Sequence, residues 1–352
     1  MKHTSRLLGA AGILALAALG ANPAHAAGTT AGSTITNTVT VNYQVGGVAQ
    51  TATAASDTFT VDRKVNLTVA EVGTTTTTVS PGQAAAVTTF QVTNLSNATL
   101  DMALAVAQQT SGAGAHANTD SFDATNVKIY RDANGNGVFD AADTLVTYLD
   151  ELAADASATV FVVADIPLGQ LTGSVAAVTL TATGREGGTA GTQGAALTAT
   201  SGGNTAGMDT VFADGAGATD ATRDAAFSAK DDYTVLAAAL SVVKTSRIVS
   251  DPVNGTTNPS FIPGAVIEYC IAVANAAGSG AATSVAISDP LPGAVTYLSS
   301  FGILLNGTVN ASNQCQADGT AGGSFAGTTV SGTLASVVAA DTRTLLFRAT
   351  IN

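Results

Sequence analysis

The run Asp132-Ala133-Asn134-Gly135-Asn136-Gly137-Val138-Phe139-Asp140-Ala141-Ala142-Asp143 sets oxygen-bearing groups at the first, third, fifth, seventh, ninth and twelfth places of a tight loop. Alternate side chains of such a loop converge on one centre, and a shell of oxygens suits a hard cation such as calcium. Asp132, Asn134, Asn136, Asp140 and Asp143 would present side-chain oxygens, Val138 its backbone carbonyl, and Gly137 permits the sharp turn. Two features qualify the match. Asp143 stands where a longer, bidentate Glu is usual, and the flanks NVKIY and TLVTYL alternate like strands, not helices. The pattern predicts a structural calcium loop set between strands, served even at the roughly 10⁻⁴ to 10⁻³ M affinity of extracellular modules. A metal-free loop closed by Asx turns is the alternative.

Other chemistry has few bearers. Of three histidines, His3 and His25 lie at the extreme N-terminus, and His116 sits in SGAGAHANTD, which reads as an exposed loop. A Ser-His-Asp hydrolase needs its histidine held beside a serine and an acid, and the chain has no Gly-x-Ser-x-Gly elbow. A zinc hydrolase needs more histidines. With no tryptophan, a sugar cleft has little to stack against. The chain therefore reads as non-enzymatic. Asp209, Asp214, Asp220, Asp224, Asp231 and Asp232 follow no regular spacing and read as a solvated acidic loop. Cys270 and Cys315 are the only cysteines. In an exported protein they read as one disulfide, and a free-thiol or metal role finds no histidine nearby.

Export is predicted from Lys2 and Arg6, the apolar stretch from Leu7 to Gly20, and Ala24-His25-Ala26 as a cleavage site. Residues 1–26 then form a secretory signal peptide, with an uncleaved anchor as the lesser reading, and the destination is secreted, cell-surface or periplasmic. Losing that segment removes two of 13 basic groups and none of 25 acidic ones, which moves the formal charge from −12 to −14. Such a balance disfavours nucleic acid and anionic lipid as partners. No membrane span is expected in the mature chain, and no sorting motif or lipid-attachment cysteine stands out to anchor it.

The elements that must carry these residues alternate at period two almost throughout, between clusters of Gly, Pro, Asn and Asp. Ile35, Val39, Val41, Tyr43 and Val45 share a face ahead of Gly46-Gly47, which predicts an N-terminal β-hairpin over 27–62. A series of short strands over 63–183 predicts an antiparallel sandwich carrying the calcium-type loop. Residues 184–232, rich in Gly, Ala, Thr and Asp, read as a linker or long loop, and a second sandwich follows over 233–352. Landmarks repeat at about 180 residues. Pro81-Gly82 with Phe90-Gln-Val-Thr-Asn94 matches Pro263-Gly264 with Ile271-Ala-Val-Ala-Asn275, and Thr159–Ile166 matches Thr344–Ile351.

The stretch VVKTSRIVSDPVNGTTNPSFIPGAVIEYCIAVANAAGSGAATSVAISDPLP, with Lys244, Pro263-Gly264, Asn275 and Asp289-Pro290-Leu291-Pro292 as its marks, resembles a bacterial conserved-repeat family, the domain of unknown function numbered eleven. AGTTAGSTITNTVTVNYQVGGVAQ and DTVFADGAGATDATRD resemble the mature start and inter-repeat region of such proteins. The resemblance implies Ig-like repeats of secreted and cell-surface proteins, and no activity. The first copy lacks the Asp-Pro-x-Pro element and carries an acidic insertion.

An all-β chain of two tandem Ig-like sandwiches behind a hairpin is the resulting expectation. It would serve as a structural or assembly protein, calcium-stabilised and self-associating through sheet edges. The alternative is an adhesin or binding module that presents its loops to a glycan or surface protein. The second sandwich has one strand fewer than the first in the sequence pattern, which predicts an edge that the hairpin could cover.

Overall fold

A computed structural model describes residues 28–352. The signal segment expected at 1–26 lies outside these residues. The described chain is all-β: two Ig-like sandwiches in tandem, preceded by a two-stranded ribbon.

The ribbon pairs Thr34–Val41 antiparallel with Thr53–Thr60 in an unbroken register from Thr34↔Thr60 to Val41↔Thr53. Gln44–Val45 and Val48–Ala49 close its tip around Gly46-Gly47, whose φ of +62° and +83° is the left-handed pair that a two-residue hairpin turn requires. Its root is tied to the first sandwich. Ala31 N donates to Asn97 O at 3.0 Å, and Asn97 Nδ2 donates to Asp62 O at 2.9 Å.

One sheet of the first sandwich runs Thr144–Leu145, Thr125–Arg131, Ser157–Asp165, Ala86–Asn94, Leu67–Glu71. In Ala86–Asn94, Ala86, Thr88, Phe90, Val92 and Asn94 alternate inward, as period two dictates. The facing sheet runs Tyr148–Leu152, Leu100–Gln108, Val175–Glu186, Ala226–Val235, Thr77–Val79. Between them lies one core that includes Leu67, Val69, Phe90, Met102, Val160, Leu180 and Tyr233.

This order corrects the linker expected over 184–232. Ala226–Val235 is an interior strand of the first sandwich, paired along nine positions with Val175–Thr183, and Thr210–Phe212 pairs parallel with Arg63–Val65. The segment between them belongs to the same body. The sandwich is also not purely antiparallel, since Tyr233–Val235 runs parallel to Thr77–Val79. The strand escaped sequence reading because two consecutive aspartates, Asp231 and Asp232, are buried inside it and break the apolar alternation.

The second sandwich sets a sheet ordered Leu240–Ser250, Val266–Asn275, Thr342–Ile351, Ile303–Gly307, Thr320–Ala321 against a three-stranded sheet ordered Val285–Pro290, Thr329–Leu334, Ser324–Ala326. Ile271, Val273, Leu305, Val330, Leu345 and Phe347 form its core. The sequence landmarks fall in equivalent places. Asn94 and Asn275 are both buried at the end of the strand next to the edge strand, and each donates its amide to carbonyls across the fold: Leu152 O at 2.8 Å for Asn94, Val337 O at 3.0 Å for Asn275.

Candidate functional site

The calcium-type loop leaves strand Thr125–Arg131 and returns at Thr144–Leu145, which pairs with Tyr130 and Arg131 and so closes the loop at its neck. Phe139 pins the middle, its ring 4.9 Å from that of Tyr130 and 5.9 Å from that of Phe161. Asp132 is buried and accepts from Gly135 N at 2.7 Å and Gly137 N at 2.9 Å. Asp140 Oδ2 accepts from Asn134 Nδ2 at 3.2 Å and Asn136 Nδ2 at 2.9 Å. Asp143 accepts from Ala133 N at 3.2 Å and Asp140 N at 2.8 Å, and Asn136 Oδ1 accepts from Val138 N at 2.8 Å. The Asp140 carboxyl is held below its ordinary range, first by the N–H of Ala142 and then by the two Asn amides.

Asn134 and Asn136 thus gather on the exposed Asp140 carboxylate, while Asp132, buried, and Asp143, half-buried, turn to backbone N–H groups of the same loop. The donor set fits a hard cation: three carboxylates, two amide oxygens and the carbonyl of Val138. Binding would require Asn134 and Asn136 to turn their amides so that oxygen, not nitrogen, points to the same centre as the Asp140 carboxylate.

His116 is not in an open loop, which corrects that expectation. Its Nε2 lies 3.1 Å from Glu71 Oε1 and its Nδ1 3.4 Å from Asp232 Oδ1, and its own N–H donates to Asp232 Oδ2 at 3.3 Å. Asn118 Nδ2 adds a bond to Asp232 Oδ1 at 3.3 Å. Burial opposes protonation of the ring, but the Glu71, Asp232 and Asp231 carboxylates outweigh it and raise the pKa. Burial, assisted by Glu71 and Asp232, pushes the Asp231 carboxyl up to about 7. Both ring nitrogens face carboxylates, and this partly buried group ties the loop to strands Leu67–Glu71 and Ala226–Val235.

The acidic residues of 209–232 are likewise not a solvated set. Asp209, Asp214, Asp231 and Asp232 are buried. Asp209 accepts from Thr205 N and Oγ1 at 2.8 and 2.7 Å, and Asp214 from Asp224 N and Ala225 N at 3.0 and 3.1 Å. Elsewhere Asp101 accepts from Glu151 N and Gly194 N, both at 2.8 Å, while Asp150 and Glu151 bind the amides of Gly191 and Thr189. Gly194 is required there, since a Cβ would fall 1.8 Å from Glu186 O. Each of these carboxylates anchors backbone that would otherwise run as free loop.

The second sandwich holds the expected disulfide between Cys270 and Cys315, with Cα atoms 5.5 Å apart. Beside it Glu268, 2% exposed, receives Arg247 at 2.6 Å and Arg348 at 2.8 Å. Arg348 also lies 4.0 Å over the ring of Phe301. Sequence reading missed this triad, because its members come from three strands and no local spacing joins them.

No family model matches the chain, and no curated protein does. Among solved structures, the one named BspA_C_mut aligns over 81% of this chain and 90% of its own at 9% identity and a TM-score of 0.32. The CupB6 tip adhesin from Pseudomonas aeruginosa aligns over 83% and 88% at 13% identity and a TM-score of 0.25. The serine-rich repeat protein Srr2 from Streptococcus agalactiae aligns over 82% and 84% at 8% identity and a TM-score of 0.19. At such values these likenesses do not extend to function.

Proposed function

We propose that this chain is an exported, non-catalytic structural protein of the bacterial cell surface, built of conserved-repeat Ig-like sandwiches that associate through sheet edges and stabilised by calcium at Asp132–Asp143. One observation carries the reading. The side chains whose types could do chemistry are engaged in holding backbone: Asp101, Asp209 and Asp214 bind loop amides, and His116 is locked between Glu71 and Asp232. Such a design favours shape persistence over turnover. A disulfide in the second sandwich accords with an oxidising compartment.

Within this reading, calcium is held by Asp132, Asn134, Asn136, Asp140 and Asp143 with the Val138 carbonyl. It would bind the neck of the loop to its tip, where the intraloop hydrogen bonds now do so.

Titration calorimetry on residues 27–352 tests the calcium part, with thermal melting in calcium and in chelator. Expected are one calcium per chain, a higher melting temperature with calcium, and loss of both in Asp132→Ala. A chain that takes up no calcium, or a variant that takes up as much as the parent, overturns it.

A further inference from the structure

The two sandwiches share the strand order of one sheet and differ in the sheet that faces it. In the first, the sheet that starts Tyr148–Leu152, Leu100–Gln108 continues with the antiparallel pair Val175–Glu186 and Ala226–Val235, which lies over the edge strand Leu67–Glu71. In the second, Thr329–Leu334 and Val285–Pro290 stand in the places of the first two. Among the described residues the far edge of Val285–Pro290 has no partner. The result is a groove of about 420 Å³ between two sheet edges, lined by Leu240, Val242, Ile271, Val273, Val285 and Ile287. Leu240, Val242 and Lys244 lie on the inner face of their sheet, opposite Asn275, Val273 and Ile271, yet Leu240 and Val242 are exposed.

The ribbon has the converse property. It is two antiparallel strands that, among the described residues, are exposed along their length, with Asn204, Thr205 and Ala206 beside Phe59 at the root, and a hairpin alone is marginally stable in water. Its cross-strand register puts the large apolar residues on one face, together with Asn37, Thr53 and Asp57. Ile35, Val39, Val41, Ala55 and Phe59 share one face, while Thr34, Thr36, Thr38, Ser56 and Thr58 share the other, with hydroxyls paired at 3.1 Å (Thr36 to Thr58) and 2.8 Å (Thr38 to Ser56). That is the pattern of a strand pair completing a half-solvated sheet. The one charge on its apolar face is Asp57, and the one cation in the groove is Lys244, whose ammonium binds Asp289 at 2.6 Å and has further N–H donors.

The two features lie at opposite poles of the first sandwich. The ribbon is rooted at Asn97, next to the Asn94 end of strand Ala86–Asn94. The second sandwich leaves at the other end, where Leu236 N donates to Val79 O at 2.8 Å and Ala237 N to Thr172 Oγ1 at 3.0 Å. Nine residues of strand separate them, roughly 30 Å.

We infer that the groove of the second sandwich receives the N-terminal ribbon of a second copy of this chain, which extends the Val285–Pro290 edge by two strands and lays Ile35, Val39, Val41 and Phe59 over Leu240 and Val242. The inference rests on the structural reading above and names its interface. Donor and acceptor are different surfaces of each copy, so each copy both gives and receives a ribbon, and the rotation between copies decides whether they close or extend as an open chain.

Complementation of two blocked variants tests this in the chain 27–352, read by size exclusion with light scattering. Val39→Glu disables the ribbon and Val242→Glu disables the groove; both sites are exposed in the single copy, so the monomers should fold, and circular dichroism checks that they do. Expected are concentration-dependent oligomers for the parent, monomers for each variant alone, and a one-to-one heterodimer when the two are mixed. A parent that is monomeric at every concentration overturns the inference, as does a mixture that stays monomeric. Oligomers indifferent to both substitutions overturn this interface and leave the structural reading in place, and calcium uptake is scored independently of either.

Discussion

Val69 and Val242 hold the same register position in the two sandwiches, each on the edge strand and each opposite the valine two residues before the buried asparagine, Val92 and Val273. Val69 is 3% exposed and Val242 64%. The same contrast holds one step along, where Leu67 is 0% exposed opposite Asn94 and Leu240 is 44% exposed opposite Asn275. Equal sequence roles with unequal burial locate what the second sandwich is missing.

This difference makes paired truncations informative. Leu67→Ala should destabilise the first sandwich by about 2–5 kcal/mol, as buried leucines do. Leu240→Ala should change the dilute monomer by no more than about 0.5 kcal/mol, as surface substitutions do. Denaturant titration of both variants checks it, and equal losses would contradict it.

The Glu268 triad gives the opposite kind of site, a buried charge whose partners are fixed. Removing the carboxylate in Glu268→Ala leaves Arg247, 53% exposed, and Arg348, 25% exposed, without their acceptor and should cost the second sandwich about 1.5–3 kcal/mol. Denaturant melts of the variant read this directly, and a loss under 1 kcal/mol would show the pair to be solvated.

Reduction of the Cys270–Cys315 bond frees a separation of 45 residues. In the chain-entropy model the second sandwich should lose roughly 4 kcal/mol. Melting in and out of reductant should move its transition and leave that of the first sandwich in place.

Between pH 5 and 8 the first sandwich should lose stability through groups that the second does not have. In the first, the raised Asp231 carboxyl, at about 7, keeps its proton in the fold while the unfolded chain ionises above about 4, so stability falls from about pH 4 to 7. His116 acts in the same sense: its raised pKa gives stability that is complete below about 6.5 and is lost as pH rises through the folded value. In the second, Asp251 is held down to about 2, chiefly by the N–H of Asn254 and also by those of Ser260 and Val253, so its contribution is present above about pH 4 and is lost toward pH 2. Melting at pH 5 and 8 should show the first transition lower at pH 8, and Asp231→Asn should flatten the fall. A first transition that rises with pH would contradict the assignment.

Period two and turn chemistry made much of this architecture legible. Gly46-Gly47 located the hairpin, and Asn94 and Asn275 marked the repeat because a buried amide bridging three elements needs the same residue in each copy. The Asp132 loop was legible as a loop closed by its own side chains, since its contacts are local. What sequence could not yield were groups whose partners are far along the chain. Asp231 and Asp232 look like loop residues until His116 and Asn118 arrive from more than a hundred positions away. The linker reading failed at that strand for this reason. The alignment of Leu67 and Val69 with Leu240 and Val242 was present in the sequence, but its meaning needed the burial of one pair and the exposure of the other.

The central claim is that an edge of the second sandwich is completed by the ribbon of another copy. Hydrogen exchange at the amides of residues 285–289, followed from dilute to concentrated chain 27–352, reads this edge. The account predicts that amides on the free edge exchange fast when dilute and become protected when concentrated, together with strand Thr34–Val41 or Thr53–Thr60, and that Val39→Glu abolishes the change. Exchange at that edge independent of concentration would contradict it.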